Sequence, residues 1–410
     1  MVAPGGAVQR RAVRVLSATQ VLGGIGVATG VAFATLIAAS ISGSETVGGL
    51  ALTAVVVGAA VCSLPIARLA ARAGRRPALL AAYCVAAAGA GLAALGAALG
   101  STTVLLVGLL AFGGGTAAGL AARYAATDLA RPDRRARDLS VVVWATTVGS
   151  VLGPNLAGPA QRLATISGLD GATGPFLLAA VAFGLAALLV AAGLRPDPLV
   201  VVRSSAADGA QAASDRGAGW RALRASPTAQ LALTGIVLSH LVMVGLMSMT
   251  PVHLDHGGAT LRVVGIVISL HIAGMYALSP VIGWLADRIG RVPVLATGAL
   301  LLAAAAGVAG SAPSTGATQL SIGLVLLGLG WSCGLVAGSA LVTESVPVAV
   351  RPGVQGISDL AMNSGGALGG VLAGTAVAVA SYEALALIAG LLVLPFLAVA
   401  VSTSLRARPA

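Results

Sequence analysis

The residues best suited to chemistry lie close together in the second half of this chain. All four histidines and four of the six methionines fall within 36 consecutive residues. Met243 and Met247 are four residues apart, as are His271 and Met275, so each pair shares one face of a helix. Thioether and imidazole groups suit Cu(I), whereas Mg²⁺ and Ca²⁺ require carboxylates, which are scarce here. The spacing therefore predicts a soft-metal site formed by these four side chains together with His240.

The elements that carry these residues are predicted to be membrane-spanning helices. The chain has 410 residues, of which 57% are apolar and 9% charged, and its mean hydropathy is +0.97. This is more apolar surface than one soluble core can bury. Runs of about 20 apolar residues can cross about 30 Å of hydrocarbon as helices, and the alternating pattern of a β-barrel is absent. We expect an all-α membrane protein with twelve transmembrane helices, near residues 15–39, 47–66, 78–99, 103–126, 139–160, 173–194, 228–250, 261–283, 294–311, 318–342, 354–380 and 382–404.

An offset of 216 residues relates the two halves of the sequence. The segment Arg68-Leu-Ala-Ala-Arg-Ala-Gly-Arg-Arg-Pro77 returns as Trp284-Leu-Ala-Asp-Arg-Ile-Gly-Arg-Val-Pro293. The second six apolar runs follow the first six at nearly the same offset, which indicates a duplicated six-helix unit. The predicted domains are an N-terminal six-helix bundle over 1–194, a flexible, arginine-containing linker over 195–227, and a C-terminal six-helix bundle over 228–410.

The positive charges are concentrated on alternate loops. The chain has no lysine, and its arginines give a formal net charge of +11. The positive-inside rule then places both termini and the linker in the cytoplasm, with the protein in the plasma membrane. The first apolar run is too long for the core of a signal peptide, so we expect a retained first helix. Nucleic-acid binding is excluded, because the arginines are not interleaved with aromatic residues on one surface.

One motif resembles a known family. The segment Gly283-x-x-x-Asp287-Arg288-x-Gly290-Arg291 is similar to the loop between the second and third helices of each half in the major facilitator superfamily. The helix count, the linker and the repeat extend this resemblance over the whole chain. It implies a monomeric secondary transporter of a small solute or metal ion, working in the lipid bilayer by alternating access and without a bound cofactor. An enzyme is not expected, because no nucleophile–base pair, phosphate loop or soluble domain is visible.

The resemblance also implies a cytoplasmic latch. Asp128 and Arg135 follow the fourth helix, and Glu344 and Arg351 follow the tenth at the same offset. In the family such residues join the loop motif in holding one conformation shut, although here they could merely anchor loops. Because Ala71 replaces the aspartate of the motif in the first half, we expect a one-sided latch. Its expected residues are Gly283, Asp287, Arg288, Gly290, Arg291, Glu344 and Arg351.

The histidine and methionine pairs resemble those of the copper importers of this superfamily, the CcoA-like group, whose near relatives carry riboflavin. The resemblance implies Cu(I) as the substrate. The ion would pass inward from Met247 through Met243 and His271 to Met275, with His240 supporting the middle stage, because weak, exchangeable stages suit a transporter. Each residue has an ordinary alternative. Methionine commonly fills apolar cores, and a buried histidine can simply make a structural hydrogen bond.

An organic-solute carrier of the same fold is the alternative, either a drug–proton efflux pump or a riboflavin-type importer. The segment Gly149-x-x-x-Gly153-Pro154 is similar to a motif of drug–proton antiporters, although the arginine that they carry in helix four falls at Ala111 here. Close helix packing is the simpler explanation of these small residues. Three polar residues inside apolar helices are given no role: Arg123, Asp359 and Asn363.

A one-sided latch can be tested by substitution. Asp287→Asn is expected to reduce transport far more than Ala71→Asp, because only the second half keeps the acidic residue of the motif. The measurement is the initial transport rate at matched protein levels in the membrane. Equal effects of the two substitutions would contradict a one-sided latch.

Overall fold

The computed structural model describes residues 4–204 and 217–406, so Arg408 and the middle of the predicted linker lie outside the described residues. The described residues form fifteen α-helices, joined by short loops and 3₁₀ turns. The helices are α1 (Pro4–Ser42), α2 (Glu45–Ala73), α3 (Arg75–Ala98), α4 (Thr102–Ala125), α5 (Arg135–Ile166), α6 (Gly174–Gly193), α7 (Pro198–Ser204), α8 (Ala218–Ala225), α9 (Pro227–His256), α10 (Leu261–Tyr276), α11 (Ser279–Ile289), α12 (Arg291–Gly310), α13 (Ala317–Glu344), α14 (Arg351–Val379) and α15 (Tyr382–Arg406).

The predicted all-α architecture with twelve membrane-spanning helices is confirmed. Across the described ranges, twelve helical spans are long and apolar enough to cross a membrane, and α10 and α11 together supply one of them. Large apolar side chains on these spans are exposed, among them Leu188, Val371 and Leu387. Such a surface is stable only in contact with lipid, and each span satisfies its own backbone hydrogen bonds as a helix.

Helix α9 is longer than the sequence predicts. It continues through Pro251 to His256, so His253 and His256 lie in the helix, beyond the predicted span 228–250. The His253 ring is buried and stacks on Tyr382, with ring centroids 4.4 Å apart. Its Nε2 lies 3.1 Å from the carbonyl oxygen of Ala312. These contacts stabilise the last turn of α9, which lies outside the predicted apolar span.

The eighth transmembrane helix is interrupted, which the sequence analysis did not predict. Helix α10 ends at Tyr276, and α11 begins at Ser279. Pro280 has no backbone N–H to bond the carbonyl oxygen of Tyr276, and its ring clashes with that carbonyl in a continuous helix. A proline in the first turn of a new helix is well tolerated. The interruption places Met275 and Tyr276 at a helix end inside a membrane span.

The helices group into two compact units, and their boundary runs through α5 and α14. Unit 1 comprises Met1–Ala130, Ala145–Ala222 and Pro347–Leu360. Unit 2 comprises Arg131–Trp144, Leu223–Val346 and Ala361–Ala410. In unit 1, α4 packs against α2 and α3, whereas in unit 2, α13 packs against α9, α10 and α12.

Two short segments therefore belong to a unit formed mainly by the other half of the sequence. These are Arg131–Trp144 in unit 2 and Pro347–Leu360 in unit 1. Their first residues are 216 positions apart, and so are their last residues. Each segment contains the first turns of a long helix, α5 or α14. The repeat thus places equivalent helix starts in equivalent surroundings.

The segment predicted to be a flexible linker is partly helical. Its described parts contain α7 and α8, and only 205–216 lies outside the described residues. Proline at the start of α7 favours a helix start because its φ angle is already helical. Leu199 and Leu223 are buried, so both short helices are anchored by packing.

The small residues of α5 form a close packing seam with α1. A side chain at Gly149 would collide with the backbone of Val21 and Gly24, and one at Gly153 would press on Ala28. Both contacts lie in unit 1. Close approach of two helices requires small residues at the crossing, so helix packing accounts for the motif shared with antiporters.

Candidate functional site

The acidic residue of the motif in the second half caps a helix. Asp287, near the end of α11, accepts hydrogen bonds from the backbone N–H groups of Ala136 at 3.1 Å and Arg137 at 2.8 Å. Both donors lie in the first turn of α5, where N–H groups lack helical partners and negative charge is favoured. One turn earlier, a side chain at Gly283 would collide with Ala136 and Ser140. Gly283 therefore lets α11 approach α5 closely enough for the cap to form.

An ion-pair group surrounds this cap. Arg291 contacts Glu344 at 2.8 Å and Asp287 at 2.9 Å, and Arg135 contacts Glu344 at 3.3 Å. Arg291 also donates to the carbonyl oxygen of Pro132 at 2.7 Å. We call Arg135, Asp287, Arg291 and Glu344 the unit 2 charge cluster. Three of the predicted latch residues, Asp287, Arg291 and Glu344, are therefore in direct contact in this cluster.

The remaining predicted latch residues have other surroundings. Arg288 is exposed, and its guanidinium lies 5.2 Å from the ring centroid of Trp284. Gly290 joins α11 to α12 with a φ of +100°, a conformation that side chains disfavour. Arg351 begins α14 and belongs to unit 1, whereas Glu344 belongs to unit 2.

Unit 1 has an ion pair at the positions equivalent to Arg291 and Glu344. Subtracting 216 from Arg291 and Glu344 gives Arg75 and Asp128. Two bonds join these side chains, with Nε to Oδ2 at 2.7 Å and Nη2 to Oδ1 at 3.0 Å. The arginine side chain is 3% exposed and the aspartate 0%. The pair is thus more deeply buried than its counterpart in unit 2, and Arg75 also donates to Gln355 at 2.6 Å.

What is one-sided is the acidic cap. In unit 1, Ala71 occupies the position equivalent to Asp287, and Pro352 occupies the position equivalent to Ala136, which is a hydrogen-bond donor in unit 2. Because proline has no N–H, the acceptor and one of its donors are missing together. The close contact between the two helices is present in both units, but the glycine lies on the opposite helix of the pair. Gly283 faces Ser140 in unit 2, whereas Ala67 faces Gly356 in unit 1.

A second buried ion pair in unit 1 joins α4 to α14. Arg123 contacts Asp359 at 2.7 Å, and their side chains are 1% and 6% exposed. The guanidinium also lies over the Tyr124 ring, 4.5 Å from its centroid. The Tyr124 hydroxyl donates to Ser358 at 3.1 Å. The sequence pattern does contain a signal for this pair, because Arg123 and Asp359 are opposite charges within two membrane-spanning helices, where a charge usually has a partner.

We call Arg75, Asp128, Gln355, Arg123 and Asp359 the unit 1 charge cluster. A cavity of about 10 Å³ lies beside it and is lined by Ser63 and Tyr124 as well as by cluster residues. This volume accommodates about one water molecule. The cluster therefore closes the helix ends around it and leaves no room for a solute.

The predicted metal ligands are only partly brought together. His271 is fully buried, with Nδ1 2.8 Å from the carbonyl oxygen of Leu324 on α13. Its Nε2 has no hydrogen-bond partner among the described residues. Met275, one turn later, is also buried. Within the described residues, no three histidine, cysteine or acidic side chains form a group that could hold a metal ion.

The other predicted ligands lie on α9. Met243 is buried and Met247 half-buried. Helices α9 and α10 each pack along α13 and hardly touch one another. A direct step from one methionine pair to the histidine–methionine pair therefore lacks the helix contact that it requires.

His240 instead belongs to an aromatic group. Its Nδ1 accepts a hydrogen bond from Nε1 of Trp331 at 2.9 Å, so the proton of the neutral ring lies on Nε2. The edge of the Trp331 ring meets Tyr276, with centroids 5.5 Å apart at 82°. We call His240, Tyr276 and Trp331 the aromatic group. It joins α9, α10 and α13 at the interruption of the eighth helix, and the sequence analysis missed Tyr276 and Trp331 because three helices had to be placed together.

Comparison with known proteins identifies the family. A model described as "Major Facilitator Superfamily" matches residues 16–261 and 253–410. The uncharacterized MFS-type transporter YdeG of Bacillus subtilis (strain 168) is 39% identical, over 96% of this chain and 91% of its own length. The riboflavin transporter RfnT of Brucella anthropi is 28% identical, over 86% and 85%.

A solved structure agrees with the fold. The human organic anion transporter MFSD10 (TETRAN) superposes with a TM-score of 0.76 at 18% identity, covering 96% of this chain and 99% of that protein. With twelve membrane-spanning helices, a family model matching almost the whole chain and a relative 39% identical, the protein belongs to the major facilitator superfamily of secondary transporters.

Proposed function

We propose that this transporter carries a small organic solute with a planar, heteroaromatic part. The observation that carries the proposal is the aromatic group at the helix interruption. The Trp331 and Tyr276 rings meet at 5.5 Å, and His240 adds a polar ring that is bonded to Trp331. Solute sites of transporters are typically formed where a membrane helix is discontinuous. Similarity to the riboflavin transporter RfnT supports a solute of this class.

The two charge clusters have a role in the transport cycle that we propose. Each cluster joins helix ends from opposite halves of the sequence: Arg123 bonds Asp359 in unit 1, and Asp287 bonds the start of α5 in unit 2. Alternating access requires these contacts to form and part. We propose that they form the cytoplasmic gate, because the arginine-rich loops lie beside them, and that one chain in the plasma membrane, without a cofactor, is the transport unit.

Riboflavin is the probe for this function. Addition of riboflavin to the purified protein is expected to raise its unfolding temperature, because a ligand stabilises the state that binds it. Trp331→Ala is expected to raise the Kd about tenfold, since one stacked aromatic ring contributes about 1–3 kcal/mol. Trp144→Ala is the matched control, because that ring is 42% exposed on α5.

Proteoliposomes then test transport itself. Labelled riboflavin is expected to cross the membrane faster with the protein than without it, and both orientations are measured so that uptake and efflux are distinguished. Binding that is equal in the Trp331 and Trp144 variants would contradict the proposed site. If riboflavin neither raises the unfolding temperature nor is transported, the proposal of a heteroaromatic solute is contradicted.

Cu(I) is the second candidate substrate. The observation that favours it is the buried, unpartnered Nε2 of His271, with Met275 one turn away. Imidazole and thioether groups are ligands that bind Cu(I). The weak contact between α9 and α10 speaks against a path through all five predicted ligands.

A double substitution tests the copper candidate. If Cu(I) is the substrate, His271→Ala with Met275→Ala is expected to abolish most copper uptake, because both soft ligands are lost. Met249→Ala on α9 is the control. Copper uptake that is unchanged in the double variant would rule out this path, and stabilisation by Cu(I) but not by riboflavin would favour copper over the organic solute.

A further inference from the structure

The first half lacks the acidic residue of its loop motif, yet an acid lies beside that loop. Asp197, just before α7, accepts a hydrogen bond from the backbone N–H of Arg76 at 2.7 Å. This donor is in the first turn of α3. A side chain at Gly74 would lie 2.5 Å from the Asp197 carboxylate. The carboxylate therefore covers the turn between α2 and α3 at close range.

The same carboxylate also starts α7. Its second oxygen accepts from the N–H of Leu199 at 2.9 Å and from that of Val200 at 3.3 Å. One side chain thus supplies acceptors to the starts of two helices, where N–H groups lack helical partners. This double use fixes α7 relative to α3.

The other end of α7 is bonded to α2. Arg203 donates from Nη1 to the carbonyl oxygen of Ala71 at 2.6 Å. Carbonyl groups at a helix end lack partners, and a positive charge is favoured there. Helix α7 therefore spans the α2–α3 turn, with an acid at one end and an arginine at the other. We call this arrangement the linker strap.

The linker strap also reaches the segment that enters α14. Helix α7 touches the 3₁₀ turn Val348–Val350, directly before Arg351. In α8, Gly219 lies against Gly353 so closely that a side chain would meet its backbone at 2.9 Å. Both contacts lie in unit 1. The strap is thus bonded to α2 and α3 and touches the turn that leads into α14, the helix that carries Asp359, while α8 packs against the first turn of that helix.

We infer that the linker strap replaces the missing acidic cap of the first half and holds the start of α14 in the unit 1 charge cluster. In unit 2, Asp287 performs this task within the motif itself. In unit 1, Ala71 and Pro352 exclude that bond, and Asp197 and Arg203 supply the contacts from outside the motif. This inference rests on the proposed gating role of the cluster and assigns Asp197 and Arg203 as positioning residues.

The test uses cysteine accessibility in the full-length protein without any solute. Cys62→Ser and Cys84→Ser leave the buried Cys333 as an internal standard, and Ser358→Cys adds a reporter at a position that is 1% exposed. N-ethylmaleimide labelling of Cys333 reports general loosening. Labelling at position 358 reports release of α14 from the unit 1 charge cluster.

Asp197→Ala is expected to increase labelling at position 358 about fivefold, the factor typical of losing one helix cap, while labelling of Cys333 stays unchanged. Arg203→Met is expected to act in the same direction. Asp170→Ala is the matched control, because Asp170 caps the 3₁₀ turn Gly171–Thr173 of the same unit with a 2.8 Å bond to Ala172. It should leave labelling at position 358 unchanged.

Two results would overturn the inference. In the first, both strap variants label position 358 at the rate of the control. In the second, labelling of Cys333 rises in parallel, which would mean that the strap only contributes general stability. The labelling experiment contains no solute, so its outcome does not depend on whether the protein binds riboflavin.

Discussion

The contact between Arg123 and Asp359 constrains the molecule most strongly. Two opposite charges that are 1% and 6% exposed bond at 2.7 Å between two membrane-spanning helices. Removing one partner of such a pair leaves an uncompensated buried charge, which typically costs about 3–5 kcal/mol. The end of α4 and the start of α14 therefore stay together unless water reaches both groups. In the proposed transport cycle, opening of the gate therefore brings water to this pair.

The repeat shows how one task is met by different residues. The ion pair is retained in both units, as Arg75 with Asp128 and as Arg291 with Glu344. The close helix contact is also present in both units, with the glycine on α11 in unit 2 and on α14 in unit 1. The acidic cap is retained only in unit 2, and the linker contributes Asp197 to the equivalent loop of unit 1. Geometry is thus preserved between the halves more faithfully than residue identity.

The sequence was sufficient for the architecture because membrane spans follow from length and apolar composition alone. Twelve helices, their order and the repeat could all be predicted. Asp287, Arg291 and Glu344 could also be predicted as neighbours, because the motif and the offset of 216 place them at adjoining helix ends. The interruption after Tyr276 was missed, since a single proline within an apolar run can either bend a helix or end it.

The contacts that the sequence did not predict depend on packing between distant helices. Arg123 and Asp359 are 236 residues apart, and nothing in the local pattern of either helix names the other. The same holds for Trp331 and His240, which meet only because α9 and α13 pack together. The metal prediction relied on spacing within single helices, and spacing alone could not establish whether α9 and α10 meet.

The most direct test of the account is to remove the charge of Asp359 and measure riboflavin transport into proteoliposomes. Arg123 and Asp359 bond at 2.7 Å and are almost completely buried, so Asp359→Asn leaves a buried positive charge without its partner, which typically costs about 3–5 kcal/mol. The account predicts that Asp359→Asn loses most of its transport at matched protein levels and that adding Arg123→Gln restores part of it, because no unpaired charge then remains. Trp144→Ala, a change at an exposed ring of α5, is expected to transport at the full rate. Full-rate transport by Asp359→Asn, or absence of transport by the unmodified protein, would contradict the account.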